Sequence, residues 1–178
     1  MGRKMGAWLS LALTGLGNVA HAQHGTLSFT GSVNRPTCVV QPLAVPIAGP
    51  NMTVMLPSIA HRSLSAAGRR GTPIPFHLIV GSGEHPCDQT SVRALFRDAG
   101  YTNAAGRLDN YGKASNVSIV VTNEQRQDVN LASNENSLIV LMDDNGIGVM
   151  SWFASYYATG AAQPGTVRSQ VNYLLEYP

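Results

Sequence analysis

The chain has 178 residues, a formal charge of +2 and only 12% charged residues. Residues 1–22 carry two of the 12 Lys+Arg and none of the 10 Asp+Glu, so the remainder is formally neutral, 10 minus 10. That balance excludes a basic face for nucleic acid. Two cysteines and scattered histidines are too few for a metal site, and no cofactor is expected.

Arg3 and Lys4 precede an apolar run, Ala7 to Leu13, and then Ala20-His21-Ala22. A charged start, a short apolar run and an Ala-x-Ala site make residues 1–22 a secretory signal rather than a buried helix of the mature fold. The run is too short to cross a bilayer. The mature chain is predicted to start at Gln23 and to hold 178 minus 22, or 156, residues. That length suits one domain with a substantial core. Export and an even cysteine count point to a Cys38–Cys87 disulfide, with two buried free thiols as the alternative. Such a bridge closes a loop of about 50 residues, worth roughly 4 kcal/mol in the chain-entropy account.

In residues 25–33, Leu27, Phe29, Gly31 and Val33 share one face of an alternating segment. Cys38–Ile47 is apolar but broken by Pro42 and Pro46, which suits an edge or kinked strand. Met52–Leu56 reads as a short strand, and Ser58–Gly71 as a loop with room for one helical turn. Ile74–Val80 is a predicted strand, followed by a turn-rich break over Gly81–Pro86. Ser91–Arg97 alternates, Asp98–Lys113 reads as a Gly/Asn/Ala-rich loop, and Asn116–Thr122 as a strand. Ser137–Met142 and Ile147–Tyr157 flank Asp143-Asp144-Asn145-Gly146. Asn-Gly there predicts a hairpin, because both residues accept positive φ. Ala158–Pro164 is a small-residue loop.

The last strand is predicted over residues 165–177. Val167, Ser169, Val171, Tyr173, Leu175 and Tyr177 lie on one face, with Arg168, Gln170, Asn172, Leu174 and Glu176 on the other. A strand this long and apolar needs a neighbour on each edge. The second neighbour is expected from earlier in the chain or from another molecule. Many short strands with turns between them indicate an all-β sandwich. A terminal β-segment beside an unfinished sheet suggests strand donation between subunits.

Five features together resemble the chaperone–usher fimbrial subunits, the type 1-like pilin family. These are a signal followed by a short alternating segment, and Gly31-Ser-Val-Asn-Arg-Pro-Thr-Cys38. Next come Leu56-Pro57, a loop, and Pro75-Phe76-His77-Leu78-Ile79-Val80 leading to Cys87, and then Asn116-Val117-Ser118-Ile119. The last is Gly165 with penultimate Tyr177. The resemblance spans essentially the whole mature chain. It implies an incomplete immunoglobulin-like β-sandwich lacking its last strand, completed by a donor strand from a chaperone or a neighbouring subunit. It implies a signal over 1–22, a donor extension over 23–34 and a pilin domain over 35–178. The partners it implies are a periplasmic pilus chaperone, an outer-membrane usher and other pilin subunits, with export through the periplasm to a surface fimbrium.

Carried onto this chain, Leu27, Phe29, Gly31 and Val33 become the donor face. Gly31 would sit where the groove is too shallow for a side chain. Val167, Val171, Tyr173 and Leu175 become the acceptor wall, and Gly165 a point of close backbone approach. Tyr177 and the carboxylate of Pro178 become the chaperone's handle, a charge-assisted contact.

No catalytic signature competes with this. The chain has no Gly-x-Ser-x-Gly, His-Glu-x-x-His or phosphate loop. Asp143–Gly146 lacks the ligand spacing of a calcium loop, and an enzyme is not expected. The other reading is a minor tip adaptor or a carbohydrate-binding adhesin sandwich. A two-domain adhesin would place a receptor domain ahead of the pilin domain, and only about a dozen mature residues precede Cys38. Trp152 and Tyr156, on one face by alternation, suit core packing better than a ligand site.

Overall fold

A computed structural model describes residues 38–42 and 51–178. Residues 1–37, which include the expected signal and the expected extension over 23–34, and residues 43–50 lie outside the described residues. The strands are β1 (Val40–Pro42), β2 (Ile74–Val80), β3 (Ser91–Arg97), β4 (Leu108–Asp109), β5 (Val117–Asn123), β6 (Val140–Leu141), β7 (Gly148–Ala158) and β8 (Asn172–Glu176). One 3-10 turn, His61–Leu64, fills the position foreseen for a helical turn.

The strands form two antiparallel sheets, ordered β1-β2-β7-β5-β4 and β6-β3-β8. The long β7 is the spine of the first sheet. Its register sets Phe76 opposite Trp152 and Val121 opposite Ala154. Alternation sends Phe76, Leu78 and Val80 of β2 and Val92, Ala94 and Phe96 of β3 into the space between the sheets. Trp152 joins them, stacked on Phe76 at 5.5 Å between ring centroids and edge-on to Phe96 at 5.7 Å. Such aromatic pairs add to the apolar burial that holds the two layers together.

Several expectations need adjustment. Met52–Leu56 is extended, with Met52, Val54 and Leu56 half-buried and Asn51, Thr53 and Met55 exposed, but it belongs to no sheet. The loop over Asp98–Lys113 contains the short strand β4, which pairs with β5 through Leu108↔Ile119. The paired part of the last strand is only Asn172–Glu176. The Asp143–Gly146 turn forms, but it joins β6 of one sheet to β7 of the other and does not close a hairpin. Only Gly146 takes positive φ there, at 68°. The Asp143 carboxylate replaces the second left-handed residue by accepting from Asn145 N at 2.9 Å and Ile147 N at 2.8 Å.

Cys38 and Cys87 are disulfide-bonded with their Cα atoms 5.2 Å apart. The bridge ties the start of the described chain to the segment before β3. Backbones close tightly around it: Gly81 N donates to Val39 O at 2.8 Å and Cys87 N to Gly146 O at 2.9 Å. Gly81 has φ +82°, and a Cβ there would meet Gly146 O at 2.1 Å. Gly68 has φ +85° but open space around it. Gly68→Ala therefore suffers only the backbone penalty, about 1–2 kcal/mol. Gly81→Ala suffers that penalty and a backbone collision besides. Urea unfolding of the two variants, with the disulfide intact, is expected to place Gly81→Ala clearly below Gly68→Ala. Equal midpoints would show that the packing around the disulfide gives way freely.

Candidate functional site

The site is a groove of about 1260 Å³ opening between two extended segments. One wall is residues 166–177, ending in β8. The other is Met52–Leu56. Phe76, Leu78, Phe96, Val121, Trp152 and Ala154 lie along the floor. Both walls alternate, and both send their apolar members inward: Met52, Val54 and Leu56 on one side, Val167, Val171, Tyr173 and Leu175 on the other. Side chains from two walls thus converge on one apolar floor.

The backbone of the longer wall explains why the groove is open. In an antiparallel strand, successive residues direct their N–H and C=O groups to opposite edges. Phe96 N donates to the Asn134 side-chain oxygen, while Asn134 Nδ2 donates to Phe96 O at 3.1 Å. Ser137 Oγ donates to Ala94 O at 2.6 Å. The even residues of β3 are thus spent on that side, which turns Arg93, Leu95 and Arg97 toward β8. Their partners are Glu176, Leu174 and Asn172. The even members of the wall therefore face β3, and the odd members face the groove. No strand among the described residues occupies the groove edge of β8.

Upstream of β8 a loop, and no strand among the described residues, lies beside the wall. Ala114 N donates to Thr166 O at 3.0 Å and Tyr111 N to Arg168 O at 3.0 Å. Even residues are again the ones satisfied within the chain. At the other end, Arg93 Nε donates to Glu176 Oε2 at 2.9 Å, and Ser91 Oγ donates to Pro178 O at 3.0 Å.

Burial raises the phenol pKa of Tyr156, Tyr173 and Tyr177, all of which line the groove. At Tyr177 the Cys38 backbone opposes that shift. The groove is thus a low-polarity space. Outside the sheet, Arg107 and Arg126 lie 3.7 Å from the ring centroids of Tyr157 and Phe153. No group of three or more His, Cys, Asp or Glu that could hold a metal ion occurs among the described residues. What the arrangement can hold is an extended, apolar strand, through edge hydrogen bonds and alternate side chains.

Val167, Val171, Tyr173, Leu175 and Tyr177 line this groove, and Gly165 does not. The close approach at Gly165 is to the chain's own loop: a Cβ there would meet Ala114 N at 2.3 Å. Pro178 lies past the groove, against Ser91. Leu27, Phe29, Gly31 and Val33 lie outside the described residues. The facing wall of Met52, Val54 and Leu56 was not anticipated as part of the site, although its alternation is present in the sequence. The inward Ser169 and the loop residue Tyr111 also line the groove.

Among the described residues, the two-sheet sandwich has an apolar groove along β8 that no strand occupies. The F17 fimbrial protein of Escherichia coli is 30% identical over 165 residues, covering 88% of each chain. The major fimbrial subunit SMF-1 of Stenotrophomonas maltophilia is 29% identical over 89% of this chain and 95% of its own. Among solved structures, the P pilus rod subunit PapA matches with a TM-score of 0.55 at 16% identity, over 86% of this chain and 100% of that one. That likeness shows the immunoglobulin-like fold alone. No family model matches the chain. The chain belongs to the chaperone–usher fimbrial subunits. It is a structural subunit of a surface pilus that polymerises with other pilin subunits, and its relatives are structural proteins rather than enzymes.

The raised phenols set a pH dependence. A phenol whose folded pKa lies above its unfolded value leaves stability unaffected at neutral pH. Above about pH 10 the unfolded chain ionises first and stability falls with rising pH. Melting temperature is expected to drop through that window in the native subunit. The combined Tyr156→Phe, Tyr173→Phe, Tyr177→Phe variant should show a shallower drop. Parallel alkaline profiles would place the dry phenols elsewhere.

Proposed function

We propose that this subunit joins its neighbours by donor-strand exchange after chaperone-assisted folding. The observation that carries the reading is the groove itself: two alternating walls, apolar members inward, over an aromatic floor, with no strand among the described residues along the groove edge of β8. The donor is the 23–34 extension of the adjacent subunit, which inserts Leu27, Phe29, Gly31 and Val33 between the walls. Leu27 and Phe29 contribute roughly 1.5–3 kcal/mol each on burial. Gly31 keeps the donor backbone close to the wall at one point.

Before assembly, a periplasmic pilus chaperone lends the strand and holds the Tyr177–Pro178 end. At the outer-membrane usher the next subunit's extension replaces it. Export therefore runs through the periplasm to the cell surface, and the completed fimbrium serves adhesion. Exchange needs no nucleotide: the replacement strand stabilises the sandwich by better burial and backbone pairing.

The test compares a chain starting at Asn34 alone and with a synthetic peptide covering Gln23–Arg35. A ligand that binds only the folded state raises stability by about 2.7 kcal/mol at a hundredfold excess over Kd. A clear rise in melting temperature is expected, and a Phe29→Ala peptide should lose most of it. A truncated chain already stable and indifferent to the peptide would mean that its sheet is complete, and donor-strand exchange would be wrong. A truncated chain that is unstable and ignores this peptide would assign the groove to a different subunit's strand, as in an adaptor or terminator.

A further inference from the structure

The acceptor wall depends on a side chain that never enters the groove. Asn110 is half-buried beneath the wall and is not among the groove-lining residues. Its Oδ1 accepts from Arg168 N at 2.7 Å and from Gly112 N at 2.8 Å. Its Nδ2 donates to Ala114 O at 2.7 Å and, more weakly, to Thr166 O at 3.3 Å. One amide thus bonds both the wall (Thr166 and Arg168) and the loop that braces it (Gly112 and Ala114). Lys113 N donates to Thr166 Oγ1 at 3.1 Å in the same contact.

The packing leaves no room for an alternative brace. A Cβ on Gly112 would meet Thr166 O at 2.2 Å, and one on Gly165 would meet Ala114 N at 2.3 Å. Loop and wall approach as closely as two backbones can, because glycines face each other across the contact. Beyond them Tyr111 leans on Tyr101, ring centroids 4.6 Å apart, and itself lines the groove.

We propose that Asn110 is a positioning residue for strand capture. It fixes residues 166–168 as an extended wall with Val167 inward before any donor arrives. The inference rests on the strand-exchange reading above. Without strand β3 beside it, this stretch takes its backbone hydrogen bonds, among the described residues, from the loop, while Val167 packs against the cluster of Leu64, Val117, Ala158 and Ala162. A wall that is extended only part of the time binds a donor more weakly in proportion to that fraction. Asn110 acts on the stretch before β8, whose own residues are held by β3. Its loss should therefore change capture more than global stability.

The experiment uses the full mature chain, with a fluorescent Gln23–Arg35 peptide as probe. Asn110→Ala removes all four bonds. Asn110→Asp keeps the acceptor for Arg168 N and Gly112 N and removes the two donated bonds. Peptide incorporation is expected to slow by about tenfold or more in Asn110→Ala, with Asn110→Asp between it and the native chain. Hydrogen exchange should quicken at Arg168, Tyr111 and Ala114 while the β3–β8 amides stay protected.

Unchanged incorporation and unchanged exchange in Asn110→Ala would overturn the inference and leave strand exchange standing. A native chain that takes up no peptide would count against capture of its own kind of donor, and against strand exchange itself if the chain starting at Asn34 is stable without a donor. Exchange at Arg168 would then still decide whether Asn110 holds the wall, since that readout needs no donor. If both variants lose protection throughout β3 and β8, Asn110 is a general stability residue and the positioning role fails.

Discussion

The structure turns on one wall strand whose strand and loop neighbours, among the described residues, lie along a single edge. Every even residue with a partner along residues 166–176 meets its own chain, either the loop 111–114 or β3. The opposite edge faces an apolar gap. Buried backbone groups left without partners cost about 1–3 kcal/mol each, and exposed apolar side chains forgo about 1.5–3 kcal/mol apiece. Net domain stabilities are only about 5–15 kcal/mol. A few such contributions are comparable to the whole margin, so a strand added to the groove as proposed would raise the stability of this subunit substantially. Phe76, Phe96 and Trp152 are themselves buried and form the floor against which such a strand would pack.

Much of this was legible in the sequence, for reasons that differ from strand to strand. Ile74–Val80 and Ser91–Arg97 have the predicted limits because alternation, β-branched residues and bounding turns agree. β5 starts one residue later than expected because Asn116 takes φ 60° and cannot belong to a strand. The run 165–177 keeps its alternation throughout, yet β3 is long enough to pair only with Asn172–Glu176. Alternation reports one-sided burial; it does not report hydrogen bonding. The same distinction accounts for Met52–Leu56, which has a strand's burial pattern and no strand's partners. In both places the sequence specifies a strand and the chain withholds the neighbour.

The inward face of the last segment was legible for the same reason, while the rest of the site was not. Nothing local in Met52–Leu56 says that it stands across a gap from Tyr173. Nothing local in Asn110 says that it reaches a backbone 58 residues later. Gly165 shows the limit most clearly. Its lack of a side chain correctly signalled a close backbone approach, but the approaching backbone is Lys113–Ala114 of the same chain. A glycine records that something comes near and not what comes near. The Asp143–Gly146 turn behaves likewise: composition marks the reversal, and only the pairing of β6 and β7 with different sheets shows that it crosses between layers.

The two ends of the groove are held by unlike devices, and the difference bears on how a strand could enter. One end is fastened covalently, with Cys38 bonded to Cys87 and Tyr177 beside the Cys38 backbone. Gly81 and Gly146 are packed under it at separations no side chain could share. The other end is held by hydrogen bonds that Tyr111 N and Ala114 N donate to the wall and by one that Arg168 N of the wall donates to Asn110 Oδ1. Covalent closure cannot yield on the timescale of strand exchange, whereas loop contacts of this kind open locally at a fraction of the global stability. The hydrogen-bonded end is therefore the one whose order limits capture: in the strand-exchange reading, each bond that keeps residues 166–168 extended lowers the ordering cost that an incoming strand meets.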